Sequence, residues 1–546
     1  MNRTMRYTWL AWFSVGLLLL FSEHALSQLP AGWRADLQVD AQSYTPDSAI
    51  NAPAVREKVL AQGFFNLLYS SERLRLGLRY EAYFNPLLGI DPRYEGNGIP
   101  YRFVQYLGDR FDVTVGNSYE QFGSGMILRT YEERSLGFDN SLDGVRLKVR
   151  PLDGVQLTAL FGKQRAFFGL GPGIIRAADL SVELHQLRWD EQPILDLPFA
   201  LELGASVVSK YQPAADPLLR LPENVFAYAT RLSLTTDRWN LYAEWAYKIN
   251  DPQQTNNNSF NPGNGLYIST SYSEEGFGLL LAAKRIDNMD FRSDRGAIGN
   301  VLTINFLPPL TKVHTYRLFT LYPYATQPYG EFGVQGEMTF SLAHGSVLGG
   351  QYGTTVTINY ARIHSIDSTK LDAFTYRSTW KPGKVLFYQD FNVEIQRTWS
   401  RQFKTTFTVV ALAYNKDVIE VKTGYGTIYP LAFVLESQYK LSAHSAIRTE
   451  LSHMSVRGDM GNWAFALLEY TPISNVYLTV FDEWNYGNPE PEKRYHYPSI
   501  TLTYVTGGTR LAFGYAKQRA GILCVGGVCR LVPASNGFSL NLSSTL

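Results

Sequence analysis

Residues 120–134, EQFGSGMILRTYEER, place Gly123-Ser124-Gly125, an apolar triplet and the charges Arg129, Glu132, Glu133 and Arg134 in one short stretch. A glycine-rich loop can cradle phosphate, but that chemistry needs GxGxxG or GxxxxGK[ST] opening a helix, and neither pattern is present. Gly123-Ser124-Gly125 also lacks the GxSxG spacing of a nucleophile elbow. The histidines His185, His314, His344, His364, His444, His453 and His496 are scattered, without the HExxH or paired spacing that holds a metal. His453 stands near Glu450 and Ser452, at the spacing of an ordinary strand rather than of a base aimed at its nucleophile. The residues therefore predict neither an enzyme nor a bound cofactor.

The surrounding elements are strands. In Leu74 to Phe84, Leu74, Leu76, Leu78, Tyr80 and Ala82 alternate with Arg75, Gly77, Arg79, Glu81 and Tyr83. Trp239 to Lys248 alternates in the same way, as do Val145-Leu147-Val149 against Arg146-Lys148-Arg150 and Leu511-Phe513-Tyr515 against Arg510-Ala512-Gly514. Period two with one apolar face and one polar face is the strand signal. Tight turns such as Asp153-Gly154 and Gly507-Gly508 alternate with long polar connections, the longest irregular stretch running from about Asp287 to Tyr329. Short turns on one side and long loops on the other predict a single large all-β, transmembrane antiparallel β-barrel of about 24 strands, with a range of 20–26. An exported sandwich array or propeller is the alternative, but no blade repeat or domain linker is seen.

Composition agrees. Arg3 and Arg6, the apolar Trp9 to Phe21 and Ala25-Leu26-Ser27 predict a signal peptide over 1–27, leaving 28–546 as an exported outer-membrane barrel domain of a bacterial cell. No later run of about 18 apolar residues predicts a membrane helix. Formal net charge is +1, which gives no reason to expect nucleic acid as a partner. Phe538, Leu540, Leu542 and Leu546 form the apolar face of a last strand, broken by Ser544.

In CVGGVC, Gly526-Gly527 can form a two-residue hairpin turn, which pairs Val525 with Val528 and sets Cys524 opposite Cys529 at a distance suited to a disulfide. Charges on the polar strand faces, among them Arg75, Arg79, Glu81, Arg146 and Arg150, belong on the lumen wall, because lipid-facing charges are costly. The segment 119–143 lies between strands at the outer mouth. Its residues Glu120, Arg129, Glu132, Glu133, Arg134 and Asp139 are the candidates for an inward-folding gate or plug, meeting opposite charges on that wall.

The stretches GNSYEQFGSGMILRTYEERSLGFDNSLDGVRLKV and GILCVGGVCRLVPASNG resemble an uncharacterised Bacteroidetes outer-membrane β-barrel family, a domain of unknown function. Asn117, Tyr119, Glu120, Gly123, Gly125, Arg129, Tyr131, Glu132, Arg134, Asp139, Asn140 and Gly144 carry the first motif. Cys524, Gly526, Gly527, Cys529 and Arg530 carry the second. The resemblance implies location and architecture, and no reaction. The functional expectation is a channel or transport barrel constricted by 119–143, with outer-membrane lipid around it. The alternative is a non-enzymatic scaffold barrel bound to other cell-surface proteins. An energised transporter with an N-terminal plug domain is not expected, since strands begin at about Arg34.

Overall fold

The computed structural model describes residues 29–545 apart from 190, 191, 215 and 217, so the expected signal peptide and Leu546 lie outside the described residues. The alternating segments form a closed, 24-stranded antiparallel β-barrel. Neighbouring strands pair in chain order, from Trp33–Ser43 with Val59–Ser70 through to Thr509–Gln518 with Ser535–Thr545. Closure comes from the first and last of these strands, which pair from Asp36↔Thr545 to Gln42↔Ser539. A two-residue strand, Thr427–Ile428, adds a short pairing at the end of Phe403–Asn415.

Alternation decides which face each residue takes. Leu76 pairs with Val104, Val104 with Val115, Val115 with Val145 and Val145 with Phe161, a row of apolar side chains crossing five strands. Val104, Val115, Val145 and Phe161 are all exposed on the outside of the barrel. Apolar groups of this size and number on an outer face match a barrel whose outer solvent is lipid. The opposite positions point inward and carry Arg75, Arg79, Glu81, Arg146 and Glu244 among others.

Connections at one end are mostly short, such as those between Leu152 and Val155 and between Ile473 and Val476. At the other end lie the long ones, including 119–141, 288–329 and 519–534. A barrel of 24 strands encloses a lumen that wall side chains alone do not fill. Residues of those long connections pack against strand residues in two buried apolar clusters. One apolar cluster joins Met126, Ile127, Leu128 and Ile304 to the wall residues Val208, Val225, Ala227, Ala246 and Ile286. A second joins Leu318, Phe319 and Tyr322 to Tyr388, Val410, Tyr414, Val434, Met454 and Trp463.

Candidate functional site

Segment 119–141 is built by two glycines. Gly123 has φ +52° and Gly125 φ +98°, left-handed conformations that a side chain would strain. A Cβ on Gly123 would also lie 2.7 Å from Oε2 of Glu244. The close approach is used, because the Ser124 N–H donates to that same Glu244 oxygen at 2.7 Å. The turn drives Met126, Ile127 and Leu128 into the first apolar cluster, where all three are fully buried.

Charge joins the segment to the wall. Arg79 contacts Glu81 at 2.7 Å, Glu132 at 2.7 Å and also Asp139. Arg165 contacts Glu81 at 2.6 Å and Asp139 at 2.7 Å, and the Tyr119 hydroxyl donates to Asp139 at 3.1 Å. Arg134 adds a third guanidinium, 2.8 Å from Glu132. Three carboxylates and three guanidinium groups thus balance, with Arg79, Glu81, Arg165 and Asp139 buried and Glu132 and Arg134 partly exposed at the edge. Glu81, Glu132 and Asp139 are spaced as cation ligands would be. The room between them is taken by Arg79 and Arg165, so this cluster is an ionic joint rather than a metal centre.

Glu120 makes a second joint, 2.9 Å from Lys148 and 3.4 Å from Arg146, which also lies 3.6 Å from Asp112. The other predicted charges take different partners. The Arg129 guanidinium stacks over Phe306 at 4.0 Å and over Tyr131 at 4.6 Å instead of meeting a carboxylate. Glu133 accepts from the Ser135 N–H at 3.0 Å and caps the short Arg134–Leu136 turn. Arg75 and Arg150 stand exposed on the inner face near the short-turn end, and the ion pairs among the described residues do not include them.

The larger contribution comes from 288–329, an irregular connection without strand periodicity. It is bonded to 119–141 through the backbone: the Arg129 N–H donates to the Ile304 carbonyl and the Phe306 N–H to the Gly125 carbonyl, each at 2.9 Å. Asn140 Nδ2 donates to the Thr303 carbonyl at 2.8 Å. Its own joints to the wall are His314 to Asp390 at 2.6 Å and Arg317 to Glu483 at 2.9 Å. Lys284 lies 2.5 Å from Glu331, whose carboxylate also accepts from the Tyr324 hydroxyl. A signal was present in YRLFTLYPY, residues 316–324, where Leu318, Phe319, Leu321, Tyr322 and Tyr324 are far more apolar than a solvated loop requires.

The cysteine hairpin pairs Gly521–Val525 with Val528–Val532, placing Cys524 opposite Cys529 with a Cα separation of 4.1 Å and the sulfurs at disulfide distance. Gly526 and Gly527 have φ +56° and +78°, the double left-handed turn that a two-residue hairpin needs. The hairpin rests on the other segments. The Thr326 N–H donates to the Gly527 carbonyl at 3.3 Å, Asn300 Nδ2 to the Cys529 carbonyl at 2.9 Å and Arg530 Nε to the Ser135 carbonyl at 2.9 Å.

Where the three segments meet there is a cavity of about 320 Å³, bounded by Tyr131, Phe138, Phe306, Tyr329, Asn300 and Val528 among others. Asp290 and Arg292, also on its wall, neutralise each other at 2.9 Å. Burial pushes the Tyr131 phenol up to about 12, with Arg129 pulling the other way, so its hydroxyl stays uncharged.

Residues 4–546 match the model described as "Family of unknown function (DUF6029)", and the chain belongs to that family. Comparison with curated proteins finds no match. Among solved structures, the chain is similar to the siderophore receptor PirA from Acinetobacter baumannii, at 9% identity and TM-score 0.44, covering 95% of this chain and 81% of that one. It is also similar to Wzi of Escherichia coli, described as a carbohydrate-binding β-barrel involved in group 1 capsule assembly, at 8% identity and TM-score 0.32, covering 84% and 86%. A third similar structure is the translocation pore of the P pilus usher PapC, at 8% identity and TM-score 0.31, covering 94% and 99%.

Proposed function

We propose that this member of the family is an outer-membrane barrel for the passage of a solute, closed at rest by residues 119–143 folded into the lumen beside 288–329. The observation that carries the reading is the pair of apolar clusters joining these segments to inward wall positions. A wall of 24 strands is wide enough to leave an aqueous channel or a plugged lumen, and the apolar clusters support the second. Export through a signal peptide over 1–27 and insertion into bacterial outer-membrane lipid belong to the same reading. The exposed outer row from Val104 to Phe161 supports lipid as the outer solvent.

Single-channel recording in planar bilayers tests this. The unmodified protein is expected to be silent, and replacing both 119–143 and 288–329 by short Gly/Ser linkers is expected to give steady current. A steady open current from the unmodified protein refutes the seal.

A second reading is a filled scaffold in a cell-surface assembly, with surface proteins as partners. It is favoured by the fully buried Tyr322, Tyr388, Tyr414 and Trp463. Exposing such side chains costs roughly 1.5–3 kcal/mol each, which makes opening at 288–329 expensive. Silence from both the unmodified protein and the linker variant, with the barrel intact, supports the scaffold and refutes transport.

A further inference from the structure

The cavity of about 320 Å³ sits at the end of the barrel that bears the long connections, and its wall is shared by 119–141, 288–329 and the cysteine hairpin. Its chemistry is selective. Tyr131, Phe138, Phe306 and Tyr329 supply ring surfaces, and Tyr329 is well exposed. The charged pair that lines the wall, Asp290 and Arg292, is internally compensated, and the Arg129 guanidinium is stacked against the Phe306 and Tyr131 rings. Asn305 spends both Nδ2 hydrogens on the Met126 and Met289 carbonyls, and Asn300 spends one of its two on the Cys529 carbonyl. That leaves the Oδ1 atoms as acceptors for an incoming donor. Aromatic surface, free acceptors and lining charges that cancel suit an uncharged ring that carries hydroxyl groups.

We infer that this cavity is a binding site for an uncharged saccharide ring, held between the aromatic side chains and the two asparagine amides. The inference rests on the proposed closed transport barrel for its place in a passage route, while the binding itself is separately measurable. An occupant would touch all three segments that fill the mouth, so its binding would be felt in each of them.

The test uses the full chain in a zwitterionic, sugar-free detergent, with neutral maltotriose and cellotriose and the anionic trigalacturonate as probes. Isothermal titration calorimetry is expected to show saturable binding of a neutral probe, at least ten-fold weaker for trigalacturonate. The neutral probe should slow amide exchange in 299–307 and 525–530. Tyr329→Ala is expected to weaken binding at least ten-fold, and Phe306→Leu, which keeps an apolar side chain, about as much. Heat-modifiable migration on gels checks that both variants remain folded. Failure of both neutral probes to saturate, equal or tighter binding of trigalacturonate, or unchanged affinity in folded Tyr329→Ala each overturns the inference. Bilayer recording of Tyr329→Ala separates the two readings: it is expected to stay silent, so lost sugar binding leaves the seal standing. A current from the unmodified protein would remove the seal without touching the binding result.

Discussion

Asp139→Ala removes the carboxylate on which the ionic joint of 119–141 converges. Asp139 meets Arg79 and Arg165, accepts from the Tyr119 hydroxyl and holds the Ser141 N–H at 2.9 Å. Arg79, Glu81, Arg165 and Asp139 have side chains at most 5% exposed, so water does not compensate the loss. Three guanidinium groups would then face two carboxylates. Removing one partner from a buried ion pair costs about 3–5 kcal/mol. Glu81 and Glu132 still serve the arginines, which places the expected cost near the lower end, about 3 kcal/mol. At about 1.4 kcal/mol per factor of ten, local opening of the segment becomes on the order of 100-fold more frequent. Amide hydrogen exchange across 119–141 reads this directly, with the strand amides as internal reference. The expected result is exchange faster by about that factor in the segment and little changed in the wall, with Asp139→Asn between the variant and the unmodified protein. Unchanged exchange in 119–141 in a folded barrel would refute the view that the ionic joint holds the segment.

Leu128→Ala empties a fully buried position and is expected to cost about 2–5 kcal/mol of segment stability, seen as faster exchange in both 119–141 and 300–307 because the two are bonded to each other. Val115→Arg puts a charge on the outer apolar row and is expected to destabilise insertion by about 2–4 kcal/mol if its depth is near the membrane midplane, whereas Arg150→Gln on the inner face is expected to be nearly neutral. Equilibrium folding titrations into liposomes compare the two. Cys524→Ser with Cys529→Ser removes a small closed ring worth about 2 kcal/mol by chain entropy, so exchange over 521–532 and at Thr326 is expected to rise while heat-modifiable migration of the barrel stays the same.

The wall was readable because period two is a strong, local signal. Alternation in Leu74 to Phe84 assigns Arg79 and Glu81 to the inner face, and the turn chemistry of CVGGVC sets the register Cys524↔Cys529 that is found. Glu120, Glu132 and Asp139 meet arginines or lysine of the barrel strands because a charge carried out of water has few other satisfactory partners. The expectation of an opposite wall charge fails for Arg129, whose planar guanidinium finds Phe306, a residue 177 positions away in a segment without periodicity. That distance explains the main omission too. Residues 288–329 have no alternation and no helix period, so their burial is a tertiary property, visible in sequence only as an excess of Leu, Phe and Tyr.

Ring closure has a consequence for the order of assembly. The seam joins Trp33–Ser43, made first, to Ser535–Thr545, made last, and until it zips the barrel is an open sheet with two bare edges. The hairpin immediately ahead of the closing strand already grips both interior segments, through Arg530 to Ser135 and through Asn300 to Cys529. Drawing that hairpin into place therefore brings the closing strand up to the seam. Seating the hairpin and closing the seam are expected to be coupled, so that loss of the Arg530 or Asn300 contact slows ring closure.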